Sequence, residues 1–366
     1  MNSTFRVGSL FGIPFYLHIS WFLVLGLITW DYGRYLAAVF PSLGSIAPWI
    51  LGLITALLLF TSVLAHELGH SFVAIKQGID VKSITLFLFG GLANLDQESK
   101  TPGGAFLVAI AGPLVSLILC VLFTIIAVIS PITGPLSAIV QMVAVINLAL
   151  AVFNLIPGLP LDGGNILKAL VWKVTGNPYK GILVASRGGQ VLGILAIISG
   201  IFGSFWNILI GWFVLANANQ SVQYAKVQIK LAGLTAADAV TPNSPIVLGQ
   251  LSLREFANNY IIGKTTWSRF LVTDDAGKLR GELVVEDIKN VPTSHWPQVE
   301  VKELMKNVSS TIAVQPEQSL LEVAILFEQL KVQALPVIRD NGVLVGLIEK
   351  AGIIRLLEMR SPVKPA

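Results

Sequence analysis

Six apolar stretches, at about 15–30, 49–75, 105–130, 136–160, 188–201 and 203–225, reach or approach the roughly 20 residues needed to cross a bilayer. Inside hydrocarbon each backbone polar group has to be satisfied within its own segment, so stretches of this kind fold as helices. The last two are separated by Gly200-Ile201-Phe202-Gly203-Ser204 and read either as a tight helical hairpin or as one broken segment. The first begins close to Met1, with no small-residue cleavage site and no polar exit, and is expected to be retained rather than removed as a signal peptide.

Charge is distributed to match. The chain is 54% hydrophobic and 13% charged, with a mean hydropathy of +0.74. Residues 1–230 hold 11 Lys/Arg and 6 Asp/Glu, whereas residues 231–366 hold 14 and 15, so a membrane domain precedes a soluble one. The expected division is 1–225 for the membrane domain, 226–231 for a linker, and two soluble repeats at 232–292 and 299–360. Net charge is +4 with no dense basic block, which gives no basis for nucleic-acid binding. The single cysteine, Cys120, excludes an intrachain disulfide and reads as a buried thiol.

Lys and Arg also orient the spans, because cytoplasmic loops carry an excess of them. With the N-terminus inside, the cytoplasmic side collects Arg6, Lys76, Lys82, Lys100, Lys168, Lys173, Lys180, Arg187, Lys226 and Lys230; the outer loops hold only Arg34, offset by Asp31. The expectation is a multi-pass protein of a prokaryotic cell membrane with both termini cytoplasmic. His18, beside Tyr16 and Trp21 at the start of the first span, reads as an interfacial histidine.

Between Arg34 and Lys76 the one Asp, Glu, Lys or Arg is Glu67, flanked by His66 and His70 in Ala65-His66-Glu67-Leu68-Gly69-His70. An ionisable group in a span costs several kcal/mol unless it is paired or bound to metal. Positions i and i+4 share a helix face, so both imidazoles can reach one zinc ion, with Glu67 placed as general base toward the water that the metal activates. A polar face lining a cavity, or a pair of haem ligands, is the alternative.

Two histidines leave zinc one protein ligand short of the usual three. From Thr101 to Leu167 the only Asp, Glu, Lys or Arg is Asp162, in Asn154-Leu155-Ile156-Pro157-Gly158-Leu159-Pro160-Leu161-Asp162-Gly163-Gly164. Prolines interrupt a helix there, glycines permit close backbone approach, and an acid lies stranded in apolar sequence. Asp162 is the candidate third ligand; alternatively it caps a helix from about Gly163 to Val174.

The His-Glu-x-x-His at 66–70 and the Asn-x-x-Pro-x-x-Pro-Leu-Asp-Gly at 154–163 resemble the two defining motifs of the site-2 protease family of intramembrane zinc metalloproteases, over roughly residues 10–225. The resemblance implies His66, His70 and Asp162 as ligands of one zinc per chain and Glu67 as the catalytic acid/base. It implies further that Asn154 and Pro160 hold an unwound substrate segment. The stretch from Asp80 to Gly91 alternates Ile84, Leu86 and Leu88 with Thr85, Phe87 and Phe89, and reads as a short strand ending at Gly90-Gly91 or as an apolar loop. In the resembled family this region offers a strand edge to substrate, which makes Gly90 and Gly91 candidate substrate-facing residues.

The soluble half repeats itself. Residues 270–281 align without gaps on 335–346 at an offset of 65, and Ser252-Leu253-Arg254-Glu255 aligns on Ser319-Leu320-Leu321-Glu322 at 67. Each copy reads as helix, strand, Asp-x-Gly turn, strand and helix, which resembles a tandem pair of cystathionine β-synthase (CBS) domains. Such pairs bind adenine nucleotides in the cleft between repeats. Of the positions that do so, Asp287, six residues after Gly281, is in place for ribose hydroxyls, while Val284, Glu349 and Gly352 depart from the pattern.

The expected fold is therefore a polytopic α-helical membrane protein of about six spans with a short membrane-associated β element, followed by a cytoplasmic α/β CBS pair. The expected function is an intramembrane zinc endopeptidase that cuts a membrane-protein substrate within or near a transmembrane segment, in contact with membrane lipid, modulated through the CBS pair, which is also the expected homodimer contact. A CBS-gated ion transporter or channel is the alternative.

Overall fold

The structure, a computed structural model, describes residues 4–263, 267–307 and 313–359. The chain divides into two compact units, Met1–Lys226 and Val227–Ala366.

The first unit opens on a hairpin that the apolar reading of residues 15–30 passes over. β1 (Thr4–Leu10) pairs antiparallel with β2 (Ile13–His18) across Phe11 and Gly12, both at positive φ (52° and 82°). Positive φ at both central residues is the turn geometry that matches the twist of a two-residue hairpin. β2 then pairs in parallel with β3 (Val81–Phe87), and β3 turns back at Leu88 and Phe89 into β4 (Gly90–Leu95). The order is β1-β2-β3-β4, which leaves β4 as an edge strand. The expected single strand over 80–91 is therefore corrected to two: Gly90 and Gly91 begin the second, because Gly90 takes φ 134°, open only to glycine.

Seven helices complete the unit. α1 (Ile19–Val39) follows β2 directly and is capped by His18, whose Nδ1 accepts from the Ser20 N–H. The expected span at 15–30 thus starts at residue 19 and runs nine residues further. α2 (Ala47–Lys76), α3 (Pro102–Ile129), α4 (Gly134–Asn154) and α6 (Pro178–Phe202) are long and apolar enough to cross a membrane. α1 and α7 (Phe205–Leu231) have 21 and 27 residues; the first carries Asp31 and Arg34 and the second several Asn and Gln, which dilute their apolarity. α6 and α7 form a hairpin broken at Gly203-Ser204, with Gly193 packed against the Gly211 carbonyl. Residues 226–231, expected as a linker, are the last turns of α7.

The expected span at 136–160 ends at Asn154, because Pro157 and Pro160 cannot continue a helix. Residues 155–161 form a loop, and α5 (Asp162–Thr175) starts at the acid itself. Leu161 occupies the N-cap position with no side-chain cap bond, so Asp162 does not cap this helix and its carboxylate is available elsewhere.

In the second unit the repeat is visible strand for strand. β5 (Ile246–Leu248) pairs in parallel with β6 (Arg269–Thr273), and β6 and β7 (Leu279–Val284) map at an offset of 65 onto β8 (Ala334–Ile338) and β9 (Leu344–Glu349), each of these two pairs antiparallel around a glycine turn. Gly277 and Gly342 hold φ of 72° and 83° in those turns. The turn tips exchange hydrogen bonds: Leu344 N–H donates to Gly277 O at 2.9 Å, and Leu279 N–H to Gly342 O at 3.3 Å. Gln250 donates to Asp275 and Gln315 to Asp340, both at 2.6 Å, again 65 residues apart. One core gathers Val247, Leu253, Phe256, Phe270 and Leu283; the other Leu320, Phe327, Leu335 and Ile348. The expected repeats 232–292 and 299–360 include residues 264–266, 308–312 and 360, which lie outside the described residues.

Candidate metal centre

His66, Gly69 and His70 lie on the buried face of α2, and packing there is tight because α3 brings the small residues Ala109, Gly112 and Ser116 to the histidines, with Val115 against Gly69. A Cβ on Gly112 would stand 2.2 Å from His70 Nε2 and 2.6 Å from His66 Nε2. Both Nε2 atoms converge on Asp162 Oδ2, at 3.0 Å from His66 and 3.3 Å from His70. The acid reaches this point because Gly163 and Gly164 let the start of α5 press on the 155–161 loop: added Cβ atoms would meet Leu155 O at 2.2 Å and Leu159 N at 2.3 Å.

The far ring nitrogens are held too. His70 Nδ1 donates to Val108 O at 2.7 Å, and His66 Nδ1 lies 2.9 Å from Ser116 Oγ. A carbonyl only accepts, so in the neutral His70 ring Nδ1 carries the proton and Nε2 turns a lone pair toward the carboxylate. Lone pairs facing one another in a buried site repel unless a cation lies among them. Donor separations of 3.0 and 3.3 Å are close to the roughly 3.3 Å between ligands of a tetrahedral zinc ion, and two imidazoles with one carboxylate are a donor set that zinc accepts. The residues present therefore fit a zinc ion. Among the described residues this is the one group of three or more His, Cys, Asp or Glu side chains with that proximity.

Glu67 points off the same helix beside this centre. A Cβ on Gly91 would lie 2.3 Å from Glu67 Cγ, so β4 backs onto the carboxylate. His66, Glu67, His70, Gly91, Asn154, Pro160 and Asp162 line one cavity of 320 Å³. Asn154 donates to Leu150 O at 3.0 Å and also lines a second, mostly apolar cavity of 740 Å³ between α1, α2, α4 and α7, as does Leu161. The motif residues of both stretches are thus brought together, with Gly91; Gly90, the first residue of β4, does not line this cavity. Asp287 lies in the other unit, on a short 3₁₀ turn, 2.8 Å from Lys306 Nζ.

Motif reading misses Ser116, Val108 and Gly112. The available signal is the spacing of Ala109, Gly112 and Ser116, small residues at i, i+3 and i+7 on one face of an otherwise bulky apolar helix. Glu98, Asn165 and Lys168, which also line the 320 Å³ cavity, lie outside both motifs.

A polar, metal-competent centre among membrane-length helices defines an integral-membrane metallohydrolase. Family models match as peptidase family M50 over residues 54–139 and 130–195, and as a CBS domain over residues 301–359. The chain is 58% identical over 366 residues to the "Putative zinc metalloprotease sll0528" of Synechocystis, covering 98% of this chain and 96% of that one. It is 30% identical over 382 residues to the zinc metalloprotease MJ0392 of Methanocaldococcus jannaschii, covering both chains in full. The solved site-2 protease from that organism is 33% identical, with a TM-score of 0.46, over 60% of this chain and 95% of its own. The chain belongs to peptidase family M50 and is an integral-membrane zinc metallo-endopeptidase with a CBS domain. The alternative of a gated transporter or channel finds no support in this family.

Proposed function

We propose that this protein hydrolyses a peptide bond within or near a transmembrane segment of another membrane protein, with one zinc held by His66, His70 and Asp162 and with Glu67 as acid/base. The observation that carries the reading is the convergence of three donor atoms on one point with Glu67 beside it. Zinc bound there supplies Lewis acidity and brings the pKa of water toward neutrality. Ser116 and the Val108 carbonyl fix the imidazole rings, so the ligand atoms are preorganised. Glu67 accepts the proton of the attacking water and returns it to the leaving nitrogen. The free edge of β4 holds the substrate backbone in an extended form by main-chain hydrogen bonds, and Asn154 and Pro160 keep the unwound segment in place.

The Lys/Arg distribution supports placing both termini in the cytoplasm, in a prokaryotic cell membrane. The CBS pair regulates cleavage by binding an adenine nucleotide at Asp287, whose carboxylate exchanges the Lys306 ammonium for ribose hydroxyls. Zinc analysis of the purified chain, with cleavage of a reconstituted single-span substrate, tests the central reading. Wild type should hold about one zinc per chain and cut; Glu67→Gln should keep the metal and lose about 10²-fold or more in rate. A metal-free, folded wild type, or full activity in Glu67→Gln, would overturn it.

A further inference from the structure

Among the described residues Lys168 is the only buried lysine or arginine, at 8% exposure. It stands on α5, where Asp162, Asn165 and Lys168 follow at steps of three and all line the 320 Å³ cavity. Six residues of helix put Lys168 about 9 Å along the axis from Asp162. Its ammonium donates to Glu98 Oε2 at 2.6 Å, and Glu98, on the loop after β4, is 70% exposed. The pair is lopsided: the cation is fixed in the pocket wall, and the anion sits on a loop in water.

A buried ammonium requires an anion, but an exposed carboxylate gains little from the contact and is easily exchanged. We propose that Lys168 is a specificity-determining residue, receiving the side-chain carboxylate of an Asp or Glu in the peptide being cut. Glu98 holds that place in the substrate-free protein. At about 3.3 Å per extended residue, 9 Å sets the acid two or three residues from the scissile bond. The assignment rests on the protease reading above.

The test uses the full chain carrying Glu67→Gln in lipid nanodiscs. The probes are synthetic single-span Leu/Ala peptides in which one Asp, or in the control one Asn, is moved through the six residues at the end of the apolar segment. Binding is read by fluorescence anisotropy. At one or two adjacent positions the Asp peptide should bind about five-fold tighter than its Asn counterpart, as for one partly exposed ion pair. Lys168→Met, which keeps the apolar stem, should bring that ratio to one, and Glu98→Gln should raise it. A ratio near one at every position in the parent, or a ratio that survives in Lys168→Met, overturns the proposal, because Lys168 and Glu98 then form only a structural strap. Turnover of the same peptides by the Glu67-containing chain reports separately on the protease reading: Asp-selective binding without cleavage would sink that reading and leave Lys168 as the acid-recognising residue of a peptide-binding pocket.

Discussion

Gly91 backs onto Glu67 so closely that a single added carbon would fall 2.3 Å from the glutamate Cγ and 2.9 Å from its Oε1. The edge of the β-sheet and the acid/base of the centre thus share a wall with no room for a side chain. The strand proposed to offer its edge to substrate is the same strand that packs on Glu67, the proposed acid/base.

Gly91→Ala should therefore displace the Glu67 side chain, which can swing, rather than break the fold, which cannot. Zinc content should remain about one per chain while cleavage falls by about 10²-fold, in the range of a lost general base. Elemental analysis beside a cleavage assay checks this; loss of the metal would show that β4 supports the ligands instead.

Gly112 and Ser116 predict the converse. Gly112→Ala places a methyl 2.2 Å from His70 Nε2, where a metal has to bind, and should remove zinc from a folded chain. Ser116→Ala frees the His66 ring and should weaken zinc affinity by about 10- to 100-fold, as losing an outer-shell partner does. Competition against a chelator of known affinity distinguishes the two.

The centre was legible in the sequence because charge is so sparse there: Glu67 and Asp162 stand out in long apolar runs, and helical spacing joins His66 to His70. The strands of the second unit were legible as well, since a 65-residue offset needs no knowledge of packing. The N-terminal hairpin was not, because Ile13–His18 is as apolar as the helix that follows, and only its partners, β1 and a β3 whose paired residues lie 69 positions away, make it a strand. The small-residue face of α3 was illegible for a related reason. A glycine in an apolar helix has no meaning until the neighbouring helix puts two imidazoles against it.

Asp274 gives the soluble unit an acid-sensitive turn. Its carboxylate accepts from the Lys278 N–H at 2.8 Å, from the Ala276 N–H at 3.0 Å and from Arg280 Nε at 2.9 Å, bonds that hold its pKa below the usual value, the Lys278 bond foremost. A lowered folded-state pKa means stabilisation that is present above the unfolded value of about 3.9 and is lost as pH falls through the folded one. Hydrogen exchange at residues 277–281 should be faster in Asp274→Ala than in wild type at pH 7, and the difference should vanish at low pH. No difference between the two at pH 7 would assign the turn's order to Gly277 alone.

Phe256→Ala should cost about 3–5 kcal/mol, since the ring is fully buried and meets Phe270 edge-on at 4.9 Å. The loss should spread to the other repeat, because Leu271 shares a core with Leu344 and Leu347 and the glycine turns bond reciprocally. Hydrogen exchange on the full chain should show 334–338 and 344–349 losing protection along with 269–273. Protection unchanged in the second repeat would mean that the copies open independently.

Asn154 lines both the 740 Å³ apolar cavity and the 320 Å³ cavity of the centre. The protein keeps an apolar compartment and one that holds the polar centre side by side, with a threshold one asparagine wide. A helix is at home in the first, where its own hydrogen bonds are the only ones on offer; in the second, water and a strand edge compete for the same groups. On the proposed function, a segment that crossed there would change surroundings mid-chain, and the amide able to rebond outward at that line would be the one exposed to cutting. Selectivity at this doorway would then depend less on residue identity than on how readily a stretch of helix unravels at the threshold.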